Sequence, residues 1–60
     1  MSVINEYEIS LRYRYSVDGD IYECVNYSEG STPLEALSMV LMEHADKEHF
    51  VVEVLGCDLK

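Results

Sequence analysis

Hydrophobic and polar positions alternate strictly through "YEISLRYRY", residues 7–15: Tyr7, Ile9, Leu11, Tyr13 and Tyr15 fall on one side, Glu8, Ser10, Arg12 and Arg14 on the other. A period of two over this length predicts a half-buried strand. "VDGD" follows, and Asp18-Gly19 between two strand-like runs is a hairpin signal. Residues 21–28, "IYECVNYS", form the second strand in either of two registers. A two-residue turn sets Tyr22, Cys24, Asn26 and Ser28 across from the tyrosine face. A three-residue turn, with Gly19 left-handed in a bulge, sets Ile21, Val25 and Tyr27 there and leaves Glu23 as the one misfit. The second buries more apolar surface and is the expected register.

"SEGST" breaks the strand, and Thr32-Pro33-Leu34-Glu35 opens a helix. Thr32 suits the N-cap, Pro33 at the first helical position lacks an N–H that would have no partner anyway, and Glu35 can close a capping box. The helix is expected to run to Ala45 or Asp46. At 100° per residue, Leu34, Leu37, Val40, Leu41 and Ala45 form its sheet-facing side, with Met39 and Met42 opposite. After the break at "DKEH", "FVVEVL" reads as a third strand ended by Gly56, with "CDLK" as a tail. Phe50, Val52 and Val54 share one face of it, and Val51, Glu53 and Leu55 the other. One α+β domain over residues 1–60 follows: β-β-α-β, a three-stranded antiparallel sheet of order 2-1-3 with the helix on one face.

Composition changes this picture in two ways. Sixty residues bury only about 60% of the unfolded surface, so a second copy of the chain, as a homodimer, would be a natural source of extra stability. Twelve acidic residues against four basic ones (Arg12, Arg14, Lys47, Lys60) give a net charge of −8. Direct binding to nucleic-acid phosphate is then opposed, and a protein with a basic surface is the expected partner. No apolar run approaches the roughly 18 residues of a membrane span, and no leader pattern is visible, which points to a cytoplasmic protein without membrane contact.

Candidate chemistry is sparse. Cys24 and Cys57 sit in strand-like segments without a CxxC neighbour and read as reduced thiols. His44 shares a helical side with Leu37 and Leu41 near the helix C-terminus, where an imidazolium is favoured, and reads as a boundary histidine. His49, Cys57, Asp46 and Glu48 lack metal-ligand spacing. Asp18-Gly19-Asp20 lacks the other ligands and the flanking helices of a calcium loop. No cofactor, metal or catalytic residue is expected. The acidic set is more informative, because Glu6, Glu8 and Glu53 lie on the sheet face away from the helix. Two candidate contact surfaces emerge: Glu35, Met39, Met42, Glu43 and Asp46 on the helix, and Glu6, Glu8, Val51, Glu53 and Leu55 on the uncovered sheet face.

Residues 21–57 carry a resemblance. Tyr22-Glu23 with Tyr27 and Glu29, the helix start Thr32-Pro33-Leu34-Glu35-Ala36-Leu37, and the closing "FVVEVLGC" resemble the small inhibitors of bacterial RNA polymerase made by T-odd coliphages. That resemblance implies a β-β-α-β domain with an acidic strip that binds the polymerase jaw in the host cytoplasm. The family also relies on arginines in its last strand, where this chain has none, so no binding residue is carried over. "YEISLRYRYSVDGDIYECVNY" with an acidic capped helix is similar to the uracil-DNA glycosylase inhibitors of small Bacillus phages, which are dimeric DNA mimics. That likeness implies that the helix surface around Met39 and Met42 meets the enzyme's DNA groove. The expected function is therefore a small, acidic, non-catalytic inhibitor of a host nucleic-acid enzyme. RNA polymerase is the first candidate target and the glycosylase the alternative; an accessory interaction domain without mimicry is the plainer reading.

Overall fold

A computed structural model describes residues 3–60. The elements run β1 (Asn5–Arg14), β2 (Tyr22–Gly30), α1 (Pro33–Asp46) and β3 (Phe50–Leu59). The sheet order is β2-β1-β3, and β1 pairs antiparallel with both neighbours. The fold is thus α+β in the expected order. Tyr7, Ile9 and Leu11 from the alternating strand are buried against Ala36 and Val40 of the helix, with Tyr13, Cys24, Leu37, Val51 and Cys57 packed around them. Ile9, Leu11 and Val40 are the largest fully enclosed side chains, each contributing about 1.5–3 kcal/mol.

The hairpin register differs from the expected one. Leu11 lies opposite Cys24, Ile9 opposite Asn26 and Tyr13 opposite Tyr22. The turn is centred one residue earlier, on Val17-Asp18, closed by Gly19 N–H donating to Ser16 O at 3.0 Å. No described glycine has a positive φ, so Gly19 makes no left-handed bulge. Ile21, Val25 and Tyr27 are therefore exposed, not turned to the core. The expectation weighed apolar area alone; the interior instead contains a buried polar side chain, His44, that accommodates Asn26 and Cys24.

Strand β3 departs from simple alternation and continues past Gly56 to Leu59. Register shifts between Ser10 and Leu11, and between Arg12 and Tyr13, leave Leu55 and Val52 as extra residues on β3. Val51, Val54 and Cys57 consequently share the helix-covered side, opposite Tyr13, Leu11 and Ile9. Val51 is half-buried against the core, which removes it from the uncovered surface where alternation had set it.

The helix is rotated from the expected orientation. Its buried line is Ala36, Val40 and His44, one turn apart, while Leu34, Leu41 and Ala45 are exposed. The cause is a close approach at the helix start. A Cβ on Gly30 would lie 2.8 Å from the Ala36 nitrogen and 3.1 Å from Thr32 O, so only a small residue at 36 facing a glycine at 30 lets the first turn reach the sheet. Thr32 caps as expected, its Oγ1 accepting from Glu35 N–H at 3.1 Å. The Glu35 carboxylate, however, accepts from Ser31 Oγ at 2.9 Å and Ser31 N–H at 3.4 Å, one residue outside the usual box.

At the other end, His49 N–H donates to His44 O at 2.8 Å and Glu48 N–H to Ala45 O at 3.0 Å. With Glu48 at φ 60°, this is a Schellman closure with glutamate where glycine is usual. The resulting slab measures 45 × 19 × 12 Å and exposes 4387 Å²; about 4,000 Å² is expected for a compact monomer of this mass. No helix of the described residues is long and apolar enough to cross a membrane.

Two substitutions test these joints. Gly30→Ala is expected to destabilise by about 1–3 kcal/mol through overpacking, read as a lower urea midpoint at unchanged m. Glu48→Gly is expected to raise stability by about 0.5–1 kcal/mol by relieving the left-handed strain, read in the same titration.

Candidate functional site

The helix closure aims His49 back at the last turn. Its Nδ1 lies 2.8 Å from His44 Nδ1, and its ring stacks on Tyr13 with centroids 4.3 Å apart and planes 8° from parallel. Tyr15 and Tyr22 extend the aromatic group around Tyr13. On the other side, His44 Nε2 lies 3.3 Å from Asn26 Oδ1 and 3.9 Å from Cys24 Sγ, while Asn26 Nδ2 donates to Cys24 Sγ at 3.3 Å. One proton arrangement satisfies the set. Asn26 offers its oxygen, so His44 donates from Nε2 and accepts at Nδ1 from the N–H of His49.

His44 is thus a neutral, 5% exposed core residue, not the boundary imidazolium expected from its place near the helix end. Burial lowers its pKa first, His49 and Lys47 add to the shift, and Glu43 opposes it weakly. A second proton on His44 would sit on Nδ1, directly against the N–H of His49. Cys24 and His44 meet although their sequence positions gave no hint of a pair, because the favoured register turned Cys24 and Asn26 to the opposite face. In this arrangement Asn26 bridges the thiol and the near nitrogen of the imidazole. In a Cys-His-Asn nucleophile set the amide instead orients the far nitrogen. The network ties β2 to the helix end.

Cys24 and Cys57 are free thiols. Cys57 Sγ donates to Pro33 O at 3.7 Å, at the opposite end of the helix from His49. Among the described residues, no three His, Cys, Asp or Glu side chains come together as a metal site.

On the exposed helix side, Met39 and Met42 are exposed as expected. Leu34 and Leu41, which sequence reasoning assigned to the core, are exposed as well, so this side is more apolar than anticipated. Glu35 is held by Ser31 at the helix start, and Asp46 ends the helix three turns away. Glu43 is exposed and adjoins Met42.

The uncovered sheet face collects the carboxylates in rows. Glu29 lies opposite Glu6, and Asp58 opposite Glu8. Further along, Val25 and Gly56 flank Ser10, and Glu23 and Glu53 flank Arg12. Arg12 reaches Glu23 at 3.4 Å and Glu53 at 3.3 Å. Lys60 contacts Glu6 at 2.7 Å and lies 4.6 Å over the Tyr27 ring. Its pKa is raised by that contact with Glu6. These pairs are exposed and individually weak. Among the described residues, the four carboxylates Glu6, Glu8, Glu29 and Asp58 thus share one neighbouring cation, Lys60, and two of the pairings set like charges directly opposite each other. Leu55, the extra residue of one bulge, leans onto this face beside Val25.

No protein-family model matches the chain, and no curated protein or solved structure does so either.

The burial of His44, with His49 beside it, makes stability depend on pH. The folded-state pKa of His44 lies below its ordinary 6.5, so the unfolded chain takes up the proton first. The stabilisation is complete above about pH 6.5 and is lost as the pH falls through and below that value. The urea midpoint is expected to drop between neutral and mildly acidic pH, and to drop less in His44→Gln.

Proposed function

We propose that this chain is a small, acidic, non-catalytic inhibitor that lays its uncovered sheet face on a basic surface of a host nucleic-acid enzyme. The observation that carries the reading is the register of the carboxylates. Glu6 opposite Glu29 and Glu8 opposite Asp58 is an unfavourable arrangement in the free protein, where like charges directly across a sheet repel. A basic partner surface relieves that repulsion on contact, so the charges oppose folding and favour binding. The net charge of −8 acts in the same direction at long range and against direct binding to nucleic acid. Bacterial RNA polymerase is the first target by the resemblance of the β2–α1–β3 segment to the coliphage inhibitors.

A second reading rests on the helix. Exposed Met39 and Met42 beside Leu34 and Leu41 suit a DNA-mimic inhibitor of uracil-DNA glycosylase that docks helix first.

Asp58→Asn separates the effects of charge on folding and on binding. It is expected to stabilise the free protein by about 0.2–1 kcal/mol and, at the same time, to weaken binding to purified polymerase in a surface-immobilised assay. Wild-type binding is expected to fall steeply from low to moderate salt. Binding indifferent to salt, or strengthened along with stability in Asp58→Asn, would remove the charge-complementarity reading. Met39→Lys with Met42→Lys distinguishes the faces: binding survives the double change if the sheet face is the contact and is lost if the helix is.

A further inference from the structure

Between the two acidic rows of the uncovered face lies an open depression of about 270 Å³, lined by Ser10, Glu23, Val25, Leu55, Gly56 and Asp58. Its floor is Ser10 beside Gly56, the two smallest side chains of the face, paired in register at the middle of the sheet. Val25 and Leu55 stand as apolar walls, both substantially exposed. Glu23 and Asp58 mark the rim, one toward each acidic row. The bulge at Leu55 supplies the floor beside that wall, since regular alternation would set Leu55 on this side but turn Gly56 to the other.

We propose that this depression holds one long cationic side chain, lysine or arginine, projecting from the basic partner. The inference rests on the basic-partner reading above and adds the point at which that partner is gripped. The volume is below the roughly 300–1,000 Å³ of small-molecule sites and suits a single side chain. The aliphatic stem of lysine or arginine packs on apolar surface while its charged head reaches outward, and Val25 with Leu55 provides that surface below a carboxylate rim. Glu23 already shares its carboxylate with Arg12. Asp58 has no ion pair among the described residues and faces Glu8 across the strands, so its carboxylate gains most from an incoming cation. An uncharged apolar chain would fill the walls and leave the facing carboxylates unrelieved.

Gly56 gives a clean way to close the depression. A Cβ there meets only the Asp58 Oδ2, at an ordinary 3.5 Å, and no described glycine has a positive φ, so a β-carbon at position 56 fits the strand and the methyl groups of Gly56→Val extend into the open floor. The probe is the peptide acetyl-Gly-Arg-Gly-amide, with acetyl-Gly-norleucine-Gly-amide as the uncharged control, followed by amide chemical shifts of the isotope-labelled full chain. The expected result is saturable shifts centred on Ser10, Val25, Leu55 and Gly56 with the arginine peptide and not with the control. In Gly56→Val the affinity is expected to fall by about fivefold or more at a thermal midpoint no lower than that of the wild type. Shifts spread evenly over Glu6, Glu8, Glu29 and Glu53 and indifferent to Gly56→Val would overturn the pocket and leave the basic-partner reading standing. Equal shifts with the norleucine peptide would also overturn it. Failure of the underlying reading has a different signature: the arginine peptide then perturbs no residue of the face in either protein, and polymerase binding shows no dependence on salt.

Discussion

Ile9 and Leu11 on the middle strand pack against Ala36 and Val40 on the single helix, and every other feature is arranged around that contact. A three-stranded sheet has two faces and this chain has one helix to cover them, so the apolar stripe of β1 decides which face is enclosed. The close approach of Gly30 to Ala36 fixes the start of the helix over the sheet. The His44–Asn26 and His44–His49 contacts fix its end. Between those two joints the core is thin, and the molecule is a slab with more surface than its mass calls for. The uncovered face is available for charge because it has no part in enclosing the core.

Much of this was legible in the residues. The alternation of residues 7–15 gives the central strand and its buried side, and Thr32-Pro33 gives the helix start, because both signals are local and depend on geometry the backbone must obey. Element order and strand order then follow from the chirality of the crossover. The hairpin register was not legible, because counting apolar area gives no weight to a buried imidazole that welcomes Asn26 and Cys24. The helix rotation was missed for a related reason: ranking Leu34 and Leu41 as core ignores the advantage of a small residue where two backbones meet. The β3 bulges leave no local mark, yet they move Val51 under the helix and turn Gly56 onto the open face, where alternation had already set Leu55. Of the two candidate surfaces, Met39, Met42, Glu6, Glu8 and Glu53 are exposed as anticipated. The pairing of carboxylate with carboxylate required the register and was invisible without it.

The two chemically unusual regions lie on opposite sides of the sheet and differ in character. Under the helix, Cys24, Asn26, His44 and His49 satisfy one another's hydrogen bonds, so the polar groups fasten one element to another. On the open face the charges have, among the described residues, no partners beyond the weak exposed pairs around Arg12 and Lys60. A closed network that holds the scaffold thus lies on one side of the sheet, and an open, exposed set of charges on the other.

The two bulges of β3 have a consequence for assembly. A three-stranded sheet has two free edges, each with unpaired backbone groups that another strand can extend. The extra residues Val52 and Leu55 interrupt the regular spacing of those groups along β3, so that edge is a poor template for a foreign strand. Strand β2 pairs with β1 without interruption from Tyr13–Tyr22 to Asn5–Gly30 and keeps an even outer edge. Edge-to-edge pairing is thereby favoured along β2 over β3, and a sheet that extends from one edge only stops once two copies have met.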